Sequence, residues 1–242
     1  MSETPIFALE NVSFAYPSGR EVLHDVSFAF APGQKIGLYG SNGSGKTTLF
    51  HVIMGLATPR RGQVLFHGAP VRTEKEFRAL RREVGMVLQN AEDQLFNPTV
   101  LDDVAFGPLN LGMSVSEARE MSMLTLEKLG LAGFENRLTH RLSGGEKKLV
   151  SLATILSMQP KALLLDEPTN GLDPETRDRI IGILDGLPTA RIIISHDWDF
   201  LARTTTQFMT IKNGCLVTDV PHLPHRHVHA HPLGDEPHHH HD

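Results

Sequence analysis

Residues 35–50 read KIGLYGSNGSGKTTLF, and no other stretch limits the choice of fold as strongly. Phosphates are gripped by consecutive backbone N–H groups, which approach closely only where side chains are absent. GSNGSGKT, from Gly40 to Thr47, fits the spacing G-x-x-x-x-G-K-[ST] of such a loop. Gly40, Gly43 and Gly45 give the access, with Ser41, Asn42 and Ser44 completing the loop. Lys46 supplies a point charge for the outer phosphates, and Thr47 a hydroxyl for Mg²⁺. Thr48 is counted with them as a nucleotide-binding position. The loop needs a buried strand before it and a helix after it, whose positive dipole end faces the anion. KIGLYG and TTLFHVIMGL meet both conditions.

The remaining chain supplies the rest of such a fold. Residues 6–16 and 22–30 are apolar, β-branched or aromatic in rough alternation, with the turn PSG between them, and read as strands. QVLFHG is a further strand. VGMVLQ, ALLLDE and RIIIS are short apolar runs of the kind found in strands buried on both faces. SVSEAREMSMLTLEKLG, GGEKKLVSLATILSM and PETRDRIIGILDGL are helical, the first capped by Ser114 or Ser116. FMTIKNGCLVT reads as a hairpin around Asn-Gly. Strands alternating with helices imply an α/β fold with a mostly parallel core sheet. The opening strands form a separate antiparallel β layer. After about Val220 the composition shifts to His and Pro, so the expected division is a domain over 1–220, with a helical subdomain at about 90–160, and a tail over 221–242.

ALLLDE is a buried strand that ends in two carboxylates, Asp166 and Glu167. The carboxyl end of a strand in a parallel sheet is where ligands sit. Asp166 there orients Mg²⁺ through water, and Glu167 polarises an attacking water. Formal net charge is −5, which argues against a dedicated nucleic-acid binder. The single cysteine, Cys215, leaves no disulfide within the chain. The opening MSETPIFALENVSF has no basic and apolar regions of a signal peptide, and no apolar run approaches the ~18 residues of a membrane span. Any membrane component has to come from another chain.

LSGGE, from Leu142 to Glu146, resembles the signature of ABC-type ATPases, and the other motifs follow in the family's order across roughly residues 5–218. By this resemblance Tyr16 stacks on adenine, Gln89 is the glutamine that reaches Mg²⁺ and the attacking water, and His196 is the switch histidine. NGLD resembles the loop that carries Asp173. Glu146 stands where many relatives have Gln, and Lys148 where an Arg is common. The resemblance implies a P-loop ABC-type nucleotide-binding domain with ATP and Mg²⁺ as cofactors, and Mg²⁺ held through Thr47, Gln89 and Asp166. It implies a homodimer sandwiching two ATP head to tail, with Ser143, Gly144 and Gly145 of one copy sealing the nucleotide of the other. A hydroxyl and bare amides at a helix start suit that second anion site. Catalysis would fall to Glu167, His196 and Gln89.

The segment after Gln89, NAEDQLFNPTVLDDVAFGPLNLG, is similar to that of energy-coupling-factor importers, especially their cobalt and nickel members. The similarity implies an ATP-hydrolysing motor at the cytoplasmic face of the cell membrane, with this segment, Leu95 and Phe96 in particular, against integral-membrane subunits. A soluble ATPase uncoupled from transport, or an importer of another micronutrient such as a vitamin, stays open. Nine of the fourteen histidines lie beyond residue 221. His225, His227, His229 and His231 alternate, so an extended segment puts them on one face, and imidazole suits Ni²⁺ and Co²⁺. A truncated purification tag, or a solvated end without a metal, are the competing readings of this tail. His24, His51, His67 and His140 lack ligand spacing.

Overall fold

The structure is a computed structural model that describes residues 4–19 and 21–218; the tail histidines lie outside them. Two sheets organise these residues. Strands β1 (Phe7–Ala15), β2 (Glu21–Phe30), β4 (Arg61–Phe66) and β5 (Ala69–Val71) form an antiparallel sheet in the order β2-β1-β4-β5. Strand β1 is central, with Phe7 opposite Phe30 on one side and Phe66 on the other. The second sheet runs β10-β9-β3-β8-β7-β6. Its members are β3 (Lys35–Tyr39), β6 (Val84–Val87), β7 (Ala162–Asp166), β8 (Ala190–Ile194), β9 (Gln207–Lys212) and β10 (Cys215–Thr218). All neighbouring pairs are parallel except the β9–β10 hairpin, which turns at Asn213-Gly214 as its sequence requires.

The parallel strands are covered on both faces, which is why they read as unbroken apolar runs rather than as alternation. On β7, Ala162 and Leu164 join the core beneath the antiparallel sheet, while Leu163 and Leu165 join the core on the opposite face. On β8, Ile192 and Ile194 face the first core and Ile193 the second. Helix α1 (Lys46–Ile53) packs into the first core. Helices α3 (Val100–Asn110), α4 (Val115–Lys128), α5 (Gly144–Leu156), α6 (Pro174–Asp185) and α7 (Trp198–Thr204) fill the second.

Two of the buried residues in the parallel strands are charged, Asp166 at the end of β7 and Arg191 on β8. Arg191 on β8 is among the largest fully buried side chains. Its guanidinium donates to the carbonyls of Thr204, at 2.8 Å, and Leu187, at 3.2 Å. The Thr204 carbonyl lies in the last turn of α7, where unpaired acceptors and the negative dipole end favour a cation.

Helix starts follow local chemistry. Thr73 with Glu76, Ser114 with Glu117 and Ser143 with Glu146 each form a reciprocal capping box. Ser114 rather than Ser116 is therefore the cap of α4. Helix α2 (Glu74–Glu83) was not expected from the sequence pattern, although T-x-x-E announces it. Only its Leu80 is buried, so it carries almost no apolar stripe.

The antiparallel sheet depends on one close backbone approach. Gly62 on β4 has φ 79°, and a Cβ there would lie 2.3 Å from the Glu10 carbonyl oxygen of β1. Backbone cannot retreat as a side chain can. Gly62→Ala is expected to cost about 2 kcal/mol or more, read as a lowered denaturant midpoint. Gly68→Ala, where φ is 80° but no atom lies within 4 Å, should cost only about 1 kcal/mol. Equal losses at the two positions would refute the steric argument.

Candidate nucleotide site

Parallel pairing gathers the chemistry at one edge. Leu38 is in register with Ile194, and Ile194 with Asp166, so β3, β8 and β7 end together. The phosphate loop leaves β3 at this edge, and Gly45 opens α1 in the left-handed region with φ 108°. Its missing Cβ would stand 2.8 Å from Val22 Cγ1 and 3.0 Å from the Val22 carbonyl, so the loop can seat only because residue 45 is bare.

A cleft of about 430 Å³ lies over the loop. Asn42, Gly43, Gly45 and Lys46 to Thr48 form its floor; Tyr16 and Gln89 stand at its sides; Asp166, Glu167 and His196 close it. Gly40, Ser41 and Ser44 instead line an adjoining cavity on the other side of the loop. Lys46 Nζ donates to the carbonyls of Gly40, at 2.7 Å, and Ser41, at 2.9 Å, so the ammonium holds the loop's curvature. Burial pulls its pKa down, and the nearby Glu167 and Asp166 carboxylates oppose that shift.

Thr47 Oγ1 donates to Asp166 Oδ2 at 2.7 Å. Burial pushes the Asp166 pKa up, countered by this hydrogen bond and by the surrounding cations. A hydroxyl, a carboxylate and the Gln89 amide on one cleft are hard oxygen donors, the set that Mg²⁺ takes.

Glu167 has two unusual features. Its backbone sits at φ 45°, a conformation that costs a residue with a Cβ roughly 1–2 kcal/mol. Its Oε1 is buried without a hydrogen bond among the described residues. His196 Nε2 lies 3.3 Å from that atom, within ion-pair range but outside hydrogen-bond geometry. Burial is the largest influence on the Glu167 pKa and raises it.

The Tyr16 hydroxyl is hydrogen-bonded to Thr48 Oγ1 at 2.9 Å, and Phe14 meets its ring edge-on at 5.0 Å. The ring is thus fixed at the mouth of the cleft while 42% of the residue stays exposed.

Ser143, Gly144, Gly145 and Asp173 are not among the residues lining this cleft. Ser143 Oγ accepts from the Glu146 N–H at 3.2 Å and Glu146 Oε2 accepts from the Ser143 N–H at 2.8 Å. Gly144 faces open space. Asp173 caps α6 through Thr176.

The family described as ABC transporter matches residues 23–170. The chain belongs to the ABC transporter ATP-binding family. It is 54% identical to a putative ABC transporter ATP-binding protein of Nitratidesulfovibrio vulgaris, over 98% of this chain and 86% of that one. It is 43% identical to the energy-coupling factor transporter ATP-binding protein EcfA of Methanothermobacter thermautotrophicus, over 87% of this chain and 69% of that one. Among solved structures, cbiO1 from Clostridium perfringens, part of the ABC transporter complex cbiONQ, superposes with TM-score 0.78 at 33% identity, covering 89% and 88% of the two chains. The dimeric ABC transporter cassette MJ0796 gives the same score at 28% identity, over 87% and 96%. ABC ATPases of this kind bind and hydrolyse ATP, and the fold is theirs.

The sequence reading missed residues that act on this ABC ATPase's site from behind. Lys148 is buried, and its Nζ donates to the backbone carbonyls of Gln89 and Glu167. Arg177 clamps Asp197, the residue after His196, with Nε to Oδ2 at 2.6 Å and Nη2 to Oδ1 at 3.1 Å. The signal for both was weak, since each is a basic residue on a helix already rich in charge. Among the described residues no group of three or more His, Cys, Asp or Glu could hold a metal ion.

Proposed function

We propose that this chain is the ATP-hydrolysing motor of a membrane importer of the energy-coupling-factor type, carrying a cobalt or nickel ion. The observation that carries the enzymatic part is the Glu167 carboxylate, buried and unbonded at Oε1, facing a phosphate loop whose Thr47 is tied to Asp166. In this reading the loop amides and Lys46 take the β- and γ-phosphates, and the Tyr16 ring stacks on the base. Burial makes Glu167 more basic than an exposed carboxylate, so it accepts the proton of a water whose oxygen attacks the γ-phosphorus as the bond to ADP breaks. His196, 3.3 Å from Oε1, steadies the charges on that side. Gln89 orients the water. Thr47, Gln89 and Asp166 would hold Mg²⁺, which when bound neutralises charge on the phosphate oxygens.

The exposed Ser143 and Gly144, turned away from their own cleft, support a homodimer in which each seals the other's nucleotide. Two ATP then belong to the interface, and residues 1–220, with a helical subdomain at about 90–160, form the repeating unit. Glu167→Gln is expected to cut steady-state ATP hydrolysis at least ~100-fold. It should keep ATP binding and double the mass seen by light scattering when ATP is added. Undiminished turnover would remove Glu167 from its role, and a monomer at high concentration with ATP would remove the sandwich.

Among the described residues no helix is long and apolar enough to cross a membrane. Phe96 and Phe106 meet edge to face at 4.8 Å while remaining 65% and 46% exposed. Leu95, by contrast, packs partly into the second core. An aromatic pair held rigid in solvent suits an apolar contact beneath a membrane subunit, at the cytoplasmic face. Phe96→Asp should abolish co-purification with the membrane subunits and leave nucleotide affinity within about twofold, as for an exposed substitution. A collapse of nucleotide affinity would show that Phe96 serves the fold.

The metal cargo rests on the similarity of the segment after Gln89 to cobalt and nickel importers and on the tail, with His225, His227, His229 and His231 as its ligands. Removing residues 221–242 should abolish most Ni²⁺ or Co²⁺ binding in calorimetry and leave ATP turnover near that of the full chain. Unchanged metal binding would dispose of the tail as a metal site.

A further inference from the structure

The geometry points to Lys148 as a positioning residue that holds Glu167 and the Gln89 loop in their working places. This rests on the reading of Glu167 as the group that accepts the proton from water. Strands β6 and β7 pair as far as Val87 and Leu165. Beyond that point the β6–β7 pairing ends, and the carbonyls of Gln89 and Glu167 lie outside the ladder between these two strands. Lys148, one turn into α5, is only 8% exposed and aims its ammonium between them. It donates to the Gln89 carbonyl at close range and to the Glu167 carbonyl at 3.3 Å.

A buried ammonium is expensive to desolvate, and an apolar residue beside Leu149 and Leu152 would pack there at less cost. No carboxylate lies within ion-pair distance of it among the described residues, so its hydrogen bonds go to backbone. The Glu167 carbonyl is the place where such a bond has an effect. The residue stands in the left-handed region, and its backbone is held by its own N–H to the Ile194 carbonyl, at 2.9 Å, by the Asn170 N–H to its carbonyl, at 3.2 Å, and by Lys148. Remove the lysine and one of these three restraints is gone, leaving the Asn170 N–H as the donor to the Glu167 carbonyl, while the Gln89 carbonyl loses the ammonium. A strained backbone persists only where its surroundings hold it.

The neighbouring contacts make the same seam stiff. Lys147 pairs with Glu92 at 2.5 Å. Gln94 accepts from the Leu88 N–H at 3.1 Å and donates to the Ser151 carbonyl and Thr154 Oγ1, both at 2.7 Å. Helix α5, which begins at Ser143, is thereby fastened to the chain on either side of Gln89. Lys148 extends that fastening to Glu167. A shift of the signature helix when it meets a second copy's nucleotide would be felt at the Glu167 backbone through one side chain.

The test compares Lys148→Met and Lys148→Arg with the full-length wild type, reading kcat and KM for ATP, ADP affinity by calorimetry, and thermal midpoint. Lys148→Met should lower kcat ~10–100-fold, since a misplacement of about 1 Å is enough for that, while KM and ADP affinity stay within about twofold because the phosphate loop is untouched. Lys148→Arg should recover most of kcat, because a guanidinium can donate to both carbonyls. The proposal is overturned if Lys148→Met keeps wild-type kcat. It is equally overturned if kcat, ADP affinity and the midpoint fall together without rescue by arginine, which is the behaviour of a packing residue. A wild-type chain that binds ADP but does not hydrolyse ATP would sink the reading of Glu167, and this proposal with it.

Discussion

The hydrogen bond from Thr47 to Asp166 joins residues 119 positions apart and is the point on which the site turns. One partner opens the helix after the phosphate loop. The other ends β7, the strand that presents Glu167. Neither could find the other unless β3, β8 and β7 ran parallel and ended in register, and that register exists because each strand buries both faces. Packing of plain aliphatic side chains therefore sets the distance between a hydroxyl and a carboxylate. The burial that achieves this also raises the carboxyl pKa values of Asp166 and Glu167, opposed for Asp166 by the Thr47 hydrogen bond and then by the charges of His51, Lys46 and Lys148.

The signature helix shows how one residue type can serve two levels. Glu146, where many relatives carry Gln, completes the capping box of α5 and also accepts from Arg137 at 2.9 Å. The Arg137 guanidinium in turn lies 3.6 Å over the Phe134 ring. Its partners hold the Glu146 carboxyl below the usual range, so it stays ionised at neutral pH. A carboxylate would repel an arriving phosphate in water. Here it is bonded to Ser143 and Arg137 at the side of the helix start, and Gly144 is left as the open face.

Most of the fold was legible because it rests on period and punctuation. The apolar runs VGMVLQ, ALLLDE and RIIIS became parallel strands, and Asn213-Gly214 became a hairpin turn. The phosphate loop was legible because its spacing states its backbone requirement. Helix α2 was hidden because a polar helix at the surface has no apolar stripe; only the pair Thr73 and Glu76 marks it. Arg191 was hidden for the opposite reason. A charge inside an apolar run looks like a strand end, and only the tertiary approach of the Thr204 carbonyl explains its burial. Lys148 belongs with Arg191: each is a long side chain whose function depends on carbonyls far away in sequence.

That pattern extends to the third loop of the site. Arg177 on α6 engages Asp197 through two nitrogens and Asp199 at 2.6 Å, which raises the arginine pKa and lowers that of Asp197. Asp197 also caps α7 through the Phe200 N–H and directly follows His196. Helix α6 itself begins at Asp173, the residue expected at the seam with a second copy. So the histidine beside Glu167 is anchored to the helix that starts at that seam, just as Glu167 is anchored through Lys148 to the helix that starts at Ser143. Glu167 and the residue after His196 are thus each held by a cation from a helix whose first residues are exposed. Lys148 and Arg177 both stand within about one turn of those helix starts, so a displacement there has only a short path to each. In this arrangement contact with a partner would reach Glu167 and His196 through the backbone they stand on rather than through the nucleotide alone.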